Sequence, residues 1–304
     1  GQILGKSSFV KKINRAPISK DYLQKQIKNG DVLLTYIGML CQGKPQYEAV
    51  REMMDDPDYY KYALGISYAI PSAETLRQRF DMIGDSLRKD IQQANVDMLR
   101  EMHIEPTALD NGFVPVDIDV TPFDNSKSNK EGVSRTYKGF DGYAPIMAYI
   151  GTEGYLVNLE LRIWKQHCQN IQHPRDGKTV YIGQTFRDVT YSLSDNEEKT
   201  VGIRTIYEIT ERTIDRYGQY HSEIKTDMDV GRLPSGKFES NKLVLELTMI
   251  AYNILRIIGQ ESLKKKDAPG RKKIHRRRIR TVISNLMQFA GHLTEHAGRL
   301  VLSI

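Results

Sequence analysis

A mixed α/β (α+β) fold is predicted by three features of this 304-residue sequence. Apolar residues recur at helical spacing as far as Met102, at alternate positions from Phe113, and at helical spacing again from His221. Turn-forming clusters separate these stretches, and they divide the chain into five parts: helical 1–110, strand-rich 111–170, a β-rich insertion 171–219, helical 220–262 and a basic helical region 263–304.

In the first part, breaks at Asn29–Asp31, Gln42–Pro45, Asp55–Asp58 and Ile70–Glu74 predict short helices joined by tight turns. Pro71 and Ser72 open a longer one, in which Leu76, Phe80, Ile83 and Leu87 share a face while Arg77, Gln78, Arg79 and Arg88 fall mostly elsewhere. Two readings stay open for it. One is the second helix of a helix-turn-helix, with Arg77 and Arg79 reaching into a DNA groove; the other is an ordinary amphipathic bundle helix.

From Phe113 the sequence "FVPVDIDVTPFDN" alternates. Val114, Val116, Ile118 and Val120 fall on one face, Asp117 and Asp119 on the other, until Thr121 and Pro122 end the strand. Carboxylates two apart on a strand either face solvent or bind a hard cation. After a polar loop, "YAPIMAYI", "GTEG" and "YLVNLELR" predict an antiparallel hairpin, giving a three-stranded meander. The stretches "TVYI", "DVTYSL" and "TVGIRTIYEIT" predict the β-rich insertion. Beyond "HSEIKTDMD" and a break at "RLPSGKF", Leu243, Val244, Leu247, Ile250, Ala251, Ile254, Leu255 and Ile258 predict a buried central helix, capped by Ser240 or Asn241 and ending at Gly259. A last amphipathic helix is expected to use Ile279, Val282, Ile283, Leu286, Met287, Ala290 and Leu293.

Charge and cysteines narrow the function. The net charge is +6, yet "KKKDAPGRKKIHRRRIR" alone, from Lys264 to Arg280, sets ten Lys or Arg against one Asp, so the rest of the chain is net negative. Such a stripe neutralises phosphates and releases their counterions, which makes Arg271, Lys272, Lys273, Arg276, Arg277, Arg278 and Arg280 candidate DNA contacts; a solvated linker is the plainer reading. Cys41 and Cys168 lack the spacing of a zinc site or a disulfide framework. With no apolar run near the ~20 residues of a membrane span and no leader-like start, a cytoplasmic location without membrane attachment is expected.

The string "VPVDIDVTPFDNSKS…YKGFDGYAPIMAYIGTEGYLVNLELR", followed by "HSEIKTDMDVGRLPSGKFESNKLVLELTMIAYNIL", resembles the DDE transposases of bacterial insertion sequences, in the group with an Asp-Ile-Asp first strand and a His-Ser-Glu-x-Lys helix. The resemblance runs from about Ile27 to the C-terminus. It implies an RNase H-like core whose first three strands are antiparallel. It also implies cut-and-paste transposition, in which three acidic side chains hold two Mg²⁺ (or Mn²⁺) ions. One ion would activate the attacking oxygen and the other would stabilise the leaving one. By resemblance the first Asp is Asp119, with Asp117 as neighbour or fallback ligand, and the Glu is Glu223. Lys225 is expected on DNA phosphate, and Asp227 is a neighbour or merely a helix-face charge. The implied partners are double-stranded DNA, as terminal inverted repeats and target, and a second copy in a synaptic complex. The implied setting is the bacterial nucleoid.

The family's second Asp has no counterpart. Asp176, Asp188 and Asp195 match no motif, Trp164 stands where relatives usually have Gly, and the joins at Asn170/Ile171 and Gln219/Tyr220 are abrupt, as if segments were absent. Three functions therefore compete: an active transposase, a defective or domesticated derivative that binds DNA, and a metal nuclease with no joining step.

Overall fold

The computed structural model describes residues 1–6, 9–15, 27–110, 112–162, 220–270, 273–288, 292–296 and 299–303. The chain begins with α1 (Gln2–Lys6), α2 (Phe9–Arg15) and α3 (Asn29–Cys41). α3 is buried along nearly its whole length, because the run "VLLTYIGMLC" is apolar on every side. Its one acidic residue, Asp31, is buried with both oxygens occupied: they accept from the backbone N–H groups of Ser67 (3.0 Å) and Tyr68 (3.1 Å). A 3₁₀ turn (Tyr47–Val50), α4 (Arg51–Met54) and α5 (Pro57–Leu64) follow.

α6 (Ala73–Ile83) starts where the sequence predicts, with the Ser72 hydroxyl accepting from the Thr75 N–H at 3.1 Å. Leu76, Phe80 and Ile83 are buried, and Phe80 meets Tyr36 edge-on with ring centroids 4.6 Å apart. α7 (Arg88–Glu101) completes this part.

β1 (Val116–Val120) is shorter than the alternation predicts, since Phe113 and Val114 are exposed and Pro115 has no N–H to enter a ladder. Where the sequence shows only a polar loop, β2 (Phe123–Asp124), β3 (Ser134–Arg135) and β4 (Asp141–Tyr143) form a second small antiparallel sheet in the order β2-β4-β3. β5 (Ile146–Ile150) and β6 (Tyr155–Glu160) form the expected hairpin, with Gly151 and Gly154 of its turn both at positive φ. The main sheet has the order β1-β5-β6, all antiparallel.

Beyond the undescribed 163–219, where the whole predicted β-rich insertion and both abrupt joins fall, a short helix α8 (Tyr220–Ser222) runs into a π turn (Glu223–Asp227). The 27-residue α9 (Phe238–Lys264) then packs on α3, α6, α7 and β6. It is apolar and long enough to cross a membrane, but 89% of its most apolar window is buried inside the protein. It overruns Gly259, which lies within the helix against Val282. Asn253 shows what α9 does for the sheet. Its side chain accepts from the Leu156 N–H (2.9 Å) and donates to the Leu156 carbonyl (2.7 Å), so a helix satisfies an edge strand.

The last helix is shorter than expected. α10 (Ile279–Val282) passes into a π turn (Ile283–Met287), and β7 (His292–His296) pairs with β8 (Arg299–Ser303) in place of a helix running to Leu293. Helical spacing holds only to Leu286; beyond it Gly291 and Gly298 flank alternating residues. One core cluster runs from Leu4 through Ile283, so the N-terminal helices share their core with α9 and the main sheet.

Candidate functional site

β1 presents its carboxylates to the core side of the sheet. In register, Asp117 lies opposite Tyr149 and Asp119 opposite Met147, both of which belong to the main core. The other face is covered too, with Ile118, Ala148 and Val157 packed near Leu99 of α7. Asp117 is consequently buried, while Asp119 near the strand end is exposed and accepts from the Thr121 hydroxyl at 3.3 Å. The alternation identified the faces correctly, but it did not reveal that both would be covered.

Tyr149 is the hub. Its ring packs against Tyr220 (5.2 Å between centroids) and Tyr252 (5.8 Å). Burial raises its phenol pKa well above the usual value, and Tyr252 and the charges of Glu223, Asp117 and Asp119 raise it further. Asp117 is paired opposite Tyr149 in the sheet, and Glu223 accepts from the hydroxyl of Tyr252, whose ring packs on Tyr149.

Glu223 reaches this place because α8 is fastened to the Gly151–Gly154 turn. Tyr220 donates to the Thr152 carbonyl at 2.7 Å, and its ring lies so close to Gly154 that a Cβ there would stand 2.3 Å from it. The π turn then directs Glu223 inward, where it is fully buried. Arg256 of α9 donates to Oε2 at 2.5 Å, and Arg276 donates to both oxygens at 2.8 and 2.9 Å. The Ile279 N–H reaches Oε1 at 3.2 Å and the Tyr252 hydroxyl reaches Oε2 at 3.2 Å. Burial alone would lower the Arg256 pKa, but Tyr252 and Glu223 outweigh it and the guanidinium stays charged. Arg276 also lies over the Tyr220 ring, 4.6 Å from its centroid.

In this geometry Glu223 is not an open carboxylate. Both Glu223 oxygens are occupied, and among the described residues no group of three His, Cys, Asp or Glu side chains is arranged to hold an ion. Two Mg²⁺ or Mn²⁺ ions would need several carboxylate oxygens to coordinate them; Asp119 offers an exposed carboxylate, and Glu223 would have to give up its arginine partners to offer another.

The basic stripe is drawn partly into the fold: Arg276 and Arg277 turn inward, while Arg278 is paired but half-exposed. Arg276 holds Glu223; Arg277 is buried and donates to the Ser262 hydroxyl at 2.5 Å. Arg278 pairs with Asp227 at 2.8 Å, which raises its pKa, and the Arg280 N–H caps the same carboxylate at 3.2 Å. Asp227 is thus the anchor of a second clamp. Lys273 and the Arg280 side chain are exposed, while Arg271 and Lys272 lie outside the described residues. Of the α6 candidates, Arg79 is buried and donates to Asn29 and to the Ile27 carbonyl (3.0 Å). Arg77 pairs with Glu74 (2.5 Å) and Glu48 (2.6 Å). Only Arg77 retains substantial exposure, so the groove-reading face drawn from sequence is largely committed elsewhere.

Lys225 lies at the rim, donating to the Pro122 carbonyl at 3.0 Å just beyond β1. Sequence reasoning missed Arg256, Tyr252 and Tyr149. The signal for the first two was a Tyr and an Arg four apart within an otherwise apolar helix, a spacing that puts them on one face. Comparison with protein-family profiles, with characterised proteins and with solved structures found no match.

Proposed function

We propose that the protein is a DNA transposase of the DDE type. It has an RNase H-like core founded on β1, β5 and β6 and acts as a homodimer on the terminal inverted repeats of its element and on target DNA, in the bacterial cytoplasm beside the nucleoid. The observation that supports this reading is that Asp117 and Asp119 share one face of a three-stranded antiparallel meander, and that Glu223 is held in the same core through Tyr252, whose ring packs on the Tyr149 opposite Asp117. The parent chemistry is strand cleavage and transfer with Mg²⁺ or Mn²⁺. Asp119 supplies the exposed carboxylate, Lys225 draws in a phosphate, and the buried clamp fixes the segment that carries both Glu223 and Lys225.

A specific observation favours a second reading, a catalytically defective derivative that binds DNA ends. Glu223 is closed by two arginines, and no residue matches the second Asp. A plasmid assay with Mg²⁺ or Mn²⁺ separates the two. Cleavage and joining that disappear in Asp119→Asn support the active transposase; DNA binding without either supports the derivative; absence of DNA binding at low salt overturns both.

A further inference from the structure

Residues 276–280 form a strap with two faces. Arg278 is extended (φ −65°, ψ 141°), and buried and solvent-reaching side chains alternate around it. Arg277 and Ile279 are buried; the side chain of Arg276 is 16% exposed, that of Arg278 50%, and Arg280 is exposed. Each of the first two outer arginines closes a carboxylate of the π turn. Arg276 donates to both oxygens of Glu223 (2.8 and 2.9 Å), and Arg278 donates to both oxygens of Asp227 (2.8 and 2.9 Å). A backbone N–H of the strap reaches each carboxylate as well, Ile279 to Oε1 of Glu223 and Arg280 to Oδ2 of Asp227, both at 3.2 Å.

The strap holds more positive charge than these carboxylates balance. Glu223 already forms a fully buried pair with Arg256, so the guanidinium of Arg276 is the second on one anion. Arg277 donates to the Ser262 hydroxyl, and one of its terminal nitrogens is buried with no acceptor. Four guanidinium groups, of Arg256, Arg276, Arg277 and Arg278, thus stand with two carboxylates, a surplus of two positive charges. That surplus favours an arriving anion.

An arginine fork takes a phosphate with the same bidentate geometry as a carboxylate, so a DNA backbone laid on the strap competes with Glu223 and Asp227 for their arginines. The exchange needs only two side chains to swing. Glu223 keeps Arg256 and Tyr252 on Oε2 and the Ile279 N–H on Oε1, while Asp227 keeps the Arg280 N–H. The strap itself stays seated through buried Ile279 and through the Arg277 carbonyl, which accepts from Arg256 at 2.6 Å.

We infer that the strap is a latch worked by phosphate: backbone phosphates of DNA draw Arg276 and Arg278 off Glu223 and Asp227. Opening leaves Oε1 of Glu223 to the Ile279 N–H, so DNA engagement and the freeing of that oxygen are one event. The inference rests on the DNA-acting function proposed above and supplies its regulation.

The test is fluorescence anisotropy of the full-length protein with a labelled duplex, in EDTA, over a range of salt. Arg276→Ala and Arg278→Ala are each expected to lower the salt slope by about 0.9, one phosphate's worth. Asp227→Asn removes the phosphate's competitor and is expected to tighten binding roughly three- to tenfold. In an Arg278→Ala background the same substitution is expected to give less than about twofold, the general effect of removing a negative charge. Cooperative melting above the assay temperature shows that the variants are folded, and Arg276→Gln and Arg278→Gln replace any alanine variant that lacks it. If Asp227→Asn weakens binding, or tightens it equally in both backgrounds, or if neither arginine variant changes the salt slope, the latch is refuted while DNA binding stands. If wild type binds no DNA at any salt, the latch and the DNA-acting function are refuted together.

Discussion

The buried clamp on Glu223 makes the most demanding stability prediction. Arg256→Met keeps much of the side-chain volume but removes the guanidinium that donates to Glu223 (2.5 Å), to the Tyr252 hydroxyl (2.8 Å) and to the Arg277 carbonyl (2.6 Å). Losing one member of a fully buried pair costs about 3–5 kcal/mol, because the remaining charge stays out of water. Arg276 still holds Glu223, so Arg256→Met belongs near the lower end of that range. Glu223→Gln belongs near the upper end, since it leaves the fully buried Arg256 without its anion. At a urea m-value of about 3 kcal/mol/M, these losses lower the unfolding midpoint by roughly 1–1.7 M. Circular dichroism of both single variants and of the double variant measures them. The double variant is expected to lose less than the sum of the singles, by about 1–3 kcal/mol. Single variants within about 0.5 kcal/mol of wild type, or a strictly additive double, refute the clamp.

Other expectations follow from separate parts of the fold. Burial raises the Glu246 pKa from the usual glutamate value to about 8, with Arg88 opposing and Asp85 and Glu160 adding to it; Gln92 also faces the group. The folded form therefore holds this proton more tightly than the unfolded chain, so its stabilising contribution is full at acid pH and is lost as pH rises through about 8. Urea midpoints at acid, neutral and alkaline pH should show that decline, and Glu246→Gln should flatten it. Asn253→Leu strips the Leu156 N–H of its acceptor on α9, while the Leu156 carbonyl keeps the Asn95 side chain; one buried unsatisfied group costs about 1–3 kcal/mol, and amide exchange at Leu156 is expected to quicken. Phe80→Ala empties the aromatic cluster with Tyr36 and Tyr47 and should cost about 3–5 kcal/mol in a denaturation curve, whereas Tyr62→Ala, on an exposed side chain, should be nearly silent.

Local signals in the sequence carried the elements well. The Ser72 cap, the turn glycines Gly151 and Gly154 and the apolar run of α9 each act within a few residues, and each appears where the sequence puts it. What stayed hidden depends on distant partners. A strand's period of two shows which residues share a face but not what covers that face, so Asp117 read as solvent-facing or cation-binding when it is buried beside Tyr149. Arg276 and Arg278 read as phosphate contacts because their carboxylates, Glu223 and Asp227, lie more than fifty residues earlier. Arg79 was misread for a similar reason, its acceptors being on the loop and first turn of α3, fifty or more residues away. The charge balance around Glu223 was not visible, since Arg256 sits inside a stretch read as apolar nearly all round.

The proposed function is action on the terminal inverted repeats of a mobile element. Competition binding of the purified protein, at physiological salt, to duplexes copied from the DNA flanking its gene and to unrelated duplexes of equal length tests it directly. The proposal predicts preferential binding to the flanking duplexes by a factor of about 10³ or more. Equal affinity for the two sets, or no binding to either, would contradict it.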